Sequence, residues 1–144
     1  MSNTKTLPVV ALTLGDAAGI GPELVARLLS EPDITAGANI VLVGDAWLWQ
    51  QGQLTAKRVV ATQAVTSLAD VRGRSDTRLP AFLATHTIQS MQVQRGQAQA
   101  ACGAAVLQVL NLCMDGATRG EVDAICFAPL NKQAMKLGGL KHED

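Results

Sequence analysis

Apolar positions along this chain switch between two spacings, and the order of the switches outlines a fold. Leu7-Pro8-Val9-Val10-Ala11-Leu12-Thr13 is a nearly unbroken apolar run with β-branched residues, the pattern of a strand buried on both faces. Leu24-Val25-Ala26-Arg27-Leu28-Leu29 then reads as a helix. Pro22 suits its first turn, where a missing N–H costs nothing, and Glu23 suits the positive end of its dipole. Glu31-Pro32-Asp33 breaks the pattern. Asn39-Ile40-Val41-Leu42-Val43-Gly44 predicts a second parallel strand, and Asp45 can cap a helix from Ala46 to Gln51 that ends near Gly52. Strand and helix in alternation is the rhythm of an α/β layer fold with a mostly parallel sheet.

The middle of the chain is less regular. Arg58-Val59-Val60-Ala61 and Leu79-Pro80-Ala81-Phe82-Leu83-Ala84 predict short strands, Pro80 placing the second at an edge or at its own start. Residues 62–78 are polar and show no firm period. His86 reads as a polar loop residue. From Gly96 to Met114 the helical period is strongest: Cys102, Ala105, Val106, Val109, Leu110 and Cys113 form one apolar stripe of a core helix that Asp115-Gly116 ends. Val122 to Phe127 predicts a further strand, with Pro129 at its exit.

Two stretches carry candidate chemistry. Leu14-Gly15-Asp16-Ala17-Ala18-Gly19-Ile20-Gly21-Pro22-Glu23 joins the first strand to the first helix. Strand, glycine loop and helix N-terminus is a common anion or nucleotide site. No Gly-Lys-Ser/Thr follows, which excludes a P-loop, and Leu24 stands where a dinucleotide fingerprint needs its third glycine. The reading without chemistry is a βα turn whose Gly15, Gly19 and Gly21 serve geometry alone. Lys132 follows the exit of the last strand, the end at which ligands gather in open α/β sheets. It could hold a phosphate or carboxylate there, or be a solvated surface lysine.

Composition narrows the function. The chain has 144 residues, 48% of them hydrophobic and 17% charged, enough for one domain with a real core. Lys plus Arg equals Asp plus Glu at 12 each, so nothing electrostatic supports nucleic-acid or membrane-surface binding. No apolar run is read as a membrane span and no signal peptide is visible. Cys102, Cys113 and Cys126 have no Cys-x-x-Cys spacing and read as reduced core thiols of a cytoplasmic protein.

Thr13-Leu14-Gly15-Asp16-Ala17-Ala18-Gly19-Ile20-Gly21-Pro22-Glu23 closely resembles the N-terminal signature of the 4-hydroxythreonine-4-phosphate dehydrogenase (PdxA) family, with Ala17 in place of the family's proline. Gly96, Gly120-Glu121, Ala124, Pro129-Leu130-Asn131-Lys132 and Gly138-Gly139 follow in the family's order. His142-Glu143-Asp144 resembles its Gly-His-Thr-Glu segment, whose His-Thr pair binds substrate; Lys141 replaces the glycine and Glu143 the threonine. A carboxylate beside a substrate phosphate points to altered substrate choice, such as a phosphorylated four-carbon sugar acid.

The resemblance implies a three-layer αβα fold with a mostly parallel sheet, like isocitrate and isopropylmalate dehydrogenases, this chain being the N-terminal part of a two-domain enzyme. It implies NAD- or NADP-dependent oxidation of a phosphorylated hydroxy acid, with decarboxylation, and a homodimer. A divalent metal (zinc, magnesium, cobalt or manganese) would have its ligands beyond Asp144, and none in this chain. His142, Glu143 and Lys132 are the expected substrate residues; Gly15, Asp16, Gly19 and Gly21 are expected to line the cleft or approach the cofactor. The 144 residues would be inactive alone. Two other readings stand beside this one: a non-catalytic α/β domain binding a phosphorylated small molecule or a partner subunit, and a cis-dihydrodiol dehydrogenase of the same family.

Overall fold

The computed structural model describes residues 6–141. His142, Glu143 and Asp144, and with them two of the expected substrate residues, lie outside the described residues.

Five parallel strands form one sheet: β1 (Val9–Thr13), β2 (Asn39–Asp45), β3 (Gln63–Val65), β4 (Ala81–Thr85) and β5 (Ala124–Phe127). Their order is β3-β4-β2-β1-β5. Five helices accompany them: α1 (Gly21–Leu29), α2 (Pro32–Gly37), α3 (Ala46–Ala56), α4 (Ala100–Thr118) and α5 (Lys132–Leu137). β1 and β2 lie in register from Val9↔Asn39 to Thr13↔Val43, and alternation of side chains sends their residues to two cores. On one face Leu12, Ile40 and Leu42 meet α1 and α3 through Val25, Ala26, Leu29, Leu48 and Trp49. On the other, Val9, Ala11, Val41 and Val43 meet Leu68, Val71 and, on α4, Cys113. Burial on both faces is why these segments read as continuous apolar runs.

Several expectations shift. Gly52 does not end α3: it lies buried inside the helix, where an added Cβ would come within 2.6 Å of the Pro22 carbonyl carbon, so it is kept small for the α1–α3 crossing. Asp45 stands at the N-cap position of α3 without capping it. Gly116 likewise does not terminate α4, which runs on to Thr118; the glycine makes room for the buried Leu68. Residues 58–61 are not a strand; pairing starts later, at Gln63. Pro80 stands at the start of β4, as one of its two readings expected, and the edge alternative fails because β4 is interior, between β3 and β2. Pro32 opens the short α2 instead of only breaking the chain. Cys126 is exposed, unlike buried Cys102 and Cys113, so only two of the thiols are core thiols. By length and composition α4 is apolar enough to cross a membrane, contrary to expectation; here Cys102, Ala105, Val106 and Cys113 bury one side of it against the sheet.

Candidate functional site

The chain leaves β1 through α1 and α2 to reach β2 on one side, and leaves β4 through α4 to reach β5 on the other side of β1. The β1→β2 and β4→β5 connections therefore run in opposite directions across the sheet while β1 and β5 lie side by side, and a crevice opens beyond the C-terminal ends of those two strands. A groove of about 280 Å³ lies there, lined by Asp16, Gly19, Ile20, Gln97, Pro129 and Asn131 among others.

The glycine loop forms one wall. Gly15 has φ +76°, and a Cβ on it would come within 2.6 Å of the Pro129 carbonyl oxygen; only glycine lets the two strand exits touch. Across that contact Asp16 donates its N–H to the Pro129 carbonyl at 3.3 Å. The buried Asp16 carboxylate turns back and accepts the Ala18 N–H at 2.7 Å, an Asx turn that folds the loop. Gly96 ties the neighbouring connection on, donating its N–H to the Ala18 carbonyl at 2.8 Å. A side chain on Gly21 would run into the Leu14 carbonyl, whereas one on Gly19 would meet nothing closer than 3.5 Å. Gly15 and Gly21 thus serve packing, and Gly19 faces open groove.

The opposite wall is the β5 exit. Asn131 caps α5, its side-chain oxygen accepting the Ala134 N–H at 3.0 Å. Lys132, exposed, is the first residue of α5, one position beyond a groove-lining residue. Beside the loop, Arg95 and Glu23 form an ion pair at 3.3 Å. Under it, burial first and the Asp16 carboxylate second push the Cys102 thiol pKa up, so this thiol stays protonated at neutral pH.

A second feature sits at the ends of β2 and β4. The buried Asp45 carboxylate accepts from the Thr85 hydroxyl, the Thr87 N–H and hydroxyl, and the Ile88 N–H at 2.5–3.0 Å. With that many donors it is a structural clasp holding the β4 exit. Exposed His86 lies along the adjoining groove and makes no part of the β1–β5 site. Thr13 at the end of β1 is buried with its hydroxyl unpartnered, beside a void of about 20 Å³, room for a single water.

Of the residues singled out from sequence, Asp16 and Gly19 line the groove, Gly15 and Gly21 support its wall, and Lys132 stands at its margin. Gln97 also lines it but offered no motif, and Ile20 lines it from within the glycine-loop motif without having been singled out. The Asp45 clasp was hidden because its donors lie 40 and more residues away. Among the described residues no three His, Cys, Asp or Glu side chains are placed to hold a metal ion. The described residues by themselves therefore do not supply a metal centre.

Sheet order and cleft define a doubly wound parallel α/β unit with a groove at its switch point. The profile of the family described as "Pyridoxal phosphate biosynthetic protein PdxA" matches residues 36–144, and the chain belongs to that family. A Pasteurella multocida protein provisionally named 4-hydroxythreonine-4-phosphate dehydrogenase is 40% identical over 139 residues, 96% of this chain and 41% of its own length. A Symbiobacterium thermophilum protein provisionally named D-threonate 4-phosphate dehydrogenase is 30% identical over 131 residues, 91% of this chain and 38% of its own. The crystal structure of a 4-hydroxythreonine-4-phosphate dehydrogenase from Burkholderia phymatum superposes with TM-score 0.85 at 28% identity, over 97% of this chain and 42% of that one. The chain thus spans about two fifths of these relatives. A terephthalate cis-dihydrodiol dehydrogenase from Burkholderia xenovorans, TM-score 0.69 at 23% identity, shares the fold.

Proposed function

We propose that this chain is the N-terminal part of a cytoplasmic, homodimeric dehydrogenase that oxidises a phosphorylated hydroxy acid, of the kind represented by 4-hydroxythreonine 4-phosphate and 4-phosphothreonate. The observation that carries the reading is a switch-point groove whose β5-side wall lies within the family match at 36–144, in a chain that relatives bearing those names match over 91–96% of its length. NAD or NADP would take the hydride from the substrate's secondary alcohol. The metal expected for the family finds no ligand set among the described residues, and no step is assigned to it.

What this chain contributes is binding and shape. The Asp16–Ala18 turn and the Gly15–Pro129 contact hold the two walls of the groove at fixed separation, so little ordering is left for the moment of binding. Lys132 offers a mobile ammonium at the rim, suited to a phosphate or carboxylate. The nearest buried carboxylate, Asp16, is engaged by the Ala18 N–H, and Glu23 is neutralised by Arg95; both arrangements lower the repulsion an anion would meet.

Titration calorimetry with 4-phosphothreonate and with threonate tests the reading. The phosphorylated acid should bind more tightly, and Lys132→Ala should weaken it by about tenfold, the loss of one charge-assisted contact. Equal binding of the two acids, or no response to Lys132→Ala, would remove the phosphate site from this groove.

A further inference from the structure

The connection from β4 to α4 holds one cation against the glycine loop. Gly96 takes φ +79°, and an added Cβ there would meet nothing within 4 Å, so this glycine serves the turn and not packing. Gln99 locks the turn: its side-chain oxygen accepts the Gln94 N–H at 2.7 Å, and its amide donates to the Gln92 carbonyl at 3.0 Å. The Gly96 N–H bonded to the Ala18 carbonyl then pins Arg95 beside the loop. Arg95 shares a small pocket with Gly19 and Glu23, while Gly19, Gly96 and Gln97 line the switch-point groove. Its guanidinium thus borders the groove through Gly19.

Most of the donors on that guanidinium are unspent. Nη2 donates to Glu23 Oε1 at 3.3 Å, and among the described residues this is the one hydrogen bond of the Arg95 side chain. Five N–H groups in a fork leave room for a second, two-pronged contact. With the Arg95 side chain 53% exposed, the ion pair adds little to the fold, but it holds the cation in place.

We propose that Arg95 is a specificity-determining residue that takes the substrate's carboxylate, an assignment that rests on the phosphorylated hydroxy acid proposed above. Such an acid carries two anions a few carbons apart. The groove has a cation by each wall, Lys132 at the β5 exit and Arg95 beside the glycine loop. Their chemistry divides the anions between them. A guanidinium fork matches a planar carboxylate with two parallel hydrogen bonds, whereas an ammonium acts on a phosphate as a point charge. Arg95 keeps its contact with Glu23 throughout, so that carboxylate is not left unneutralised beside the substrate.

Three ligands separate the two ends: 4-phosphothreonate, threonate, which lacks the phosphate, and threitol 4-phosphate, which lacks the carboxylate. Binding is read from amide NMR shifts of the 144-residue chain, which follow weak as well as tight ligands. Arg95→Met removes the fork and keeps the apolar stem. It should weaken 4-phosphothreonate and threonate by about tenfold each, the loss of a charged two-pronged contact, and leave threitol 4-phosphate within about twofold. Lys132→Ala should give the opposite pattern, weakening both phosphorylated ligands and sparing threonate. Equal weakening of all three ligands by Arg95→Met overturns the proposal, because a merely structural role would not sort ligands by their carboxylate. Unchanged binding of the two acids overturns it as well, and if Lys132→Ala still weakens the phosphorylated ligands, the proposed function survives without it. Should the unaltered chain bind 4-phosphothreonate and threonate equally while Arg95→Met weakens both, the phosphate reading fails and the carboxylate site stands. A chain that binds none of the three overturns both.

Discussion

At the scale of single residues, the glycine loop separates packing from binding. A methyl group on Gly21 meets the Leu14 carbonyl and Ala128, whereas on Gly19 it meets nothing inside 3.5 Å. Gly21→Ala should therefore cost about 2 kcal/mol or more in denaturant unfolding, a backbone clash in a buried turn. Gly19→Ala should change stability by no more than about 0.5 kcal/mol while weakening binding of a phosphorylated acid, because the methyl projects into the groove. Equal stability losses would mean that the glycines share one role. Asp45 allows a second contrast. Removing its carboxylate strands three residues' worth of donors at the β4 exit, so Asp45→Ala should cost about 3 kcal/mol. Asp45→Ala losing under about 1 kcal/mol would show that water replaces the clasp. The sequence told of the loop, because glycines and a proline mark turns locally. It told nothing of the clasp: Asp45 looks like a helix cap until the fold brings Thr85 and Thr87 to it.

Elements were legible where one neighbour decides them and blurred where distant packing does. β1 and β2 stand out because burial on both faces leaves polar residues only at strand ends, Thr13, Asn39 and Asp45. α1 stands out through Pro22 and the spacing of Val25, Ala26 and Leu29. The ends of α3 and α4 misled, since Gly52 and Gly116 look like stops and act as contact points for Pro22 and Leu68. Gly103 is the sharpest case: it is buried inside α4, and a Cβ there would overlap the Ala134 carbonyl of α5. Helix propensity alone favours alanine at an internal position by about 1 kcal/mol. Gly103→Ala should instead destabilise by about 2 kcal/mol or more, because α5 must be pushed off α4. Amide exchange should show α5 loosening before β1 and β2. A stabilised Gly103→Ala protein would mean that the two helices are not held in contact in solution.

For the whole molecule, the spread of ionisable groups fixes a stability plateau with two separate limits. On the acid side, the Arg72 guanidinium first and the Val9 N–H second hold the Asp123 carboxyl below its ordinary value of 3.8. Asp76, bonded by Arg78, is shifted the same way. A carboxylate depressed by folding stabilises above its unfolded pKa, and that contribution is lost as pH falls through the folded value. Stability should thus decline only below about pH 4, weakly, since both pairs are solvent-exposed. On the alkaline side, burial pushes the Cys113 thiol from 9.0 up to about 11. The unfolded chain then loses its proton first, so stability is flat below about pH 9 and falls between 9 and 11. The chain has no tyrosine, and the described lysines are all exposed, so few other groups compete in that window. Burial raises Cys102 in the same sense, and it adds to the slope. Chemical denaturation across pH 7 to 11 should show a decline that Cys113→Ala flattens, even though that variant starts from lower stability after losing a buried side chain. An alkaline slope identical in Cys113→Ala would place the titrating group elsewhere and would mean that the core around α4 admits water.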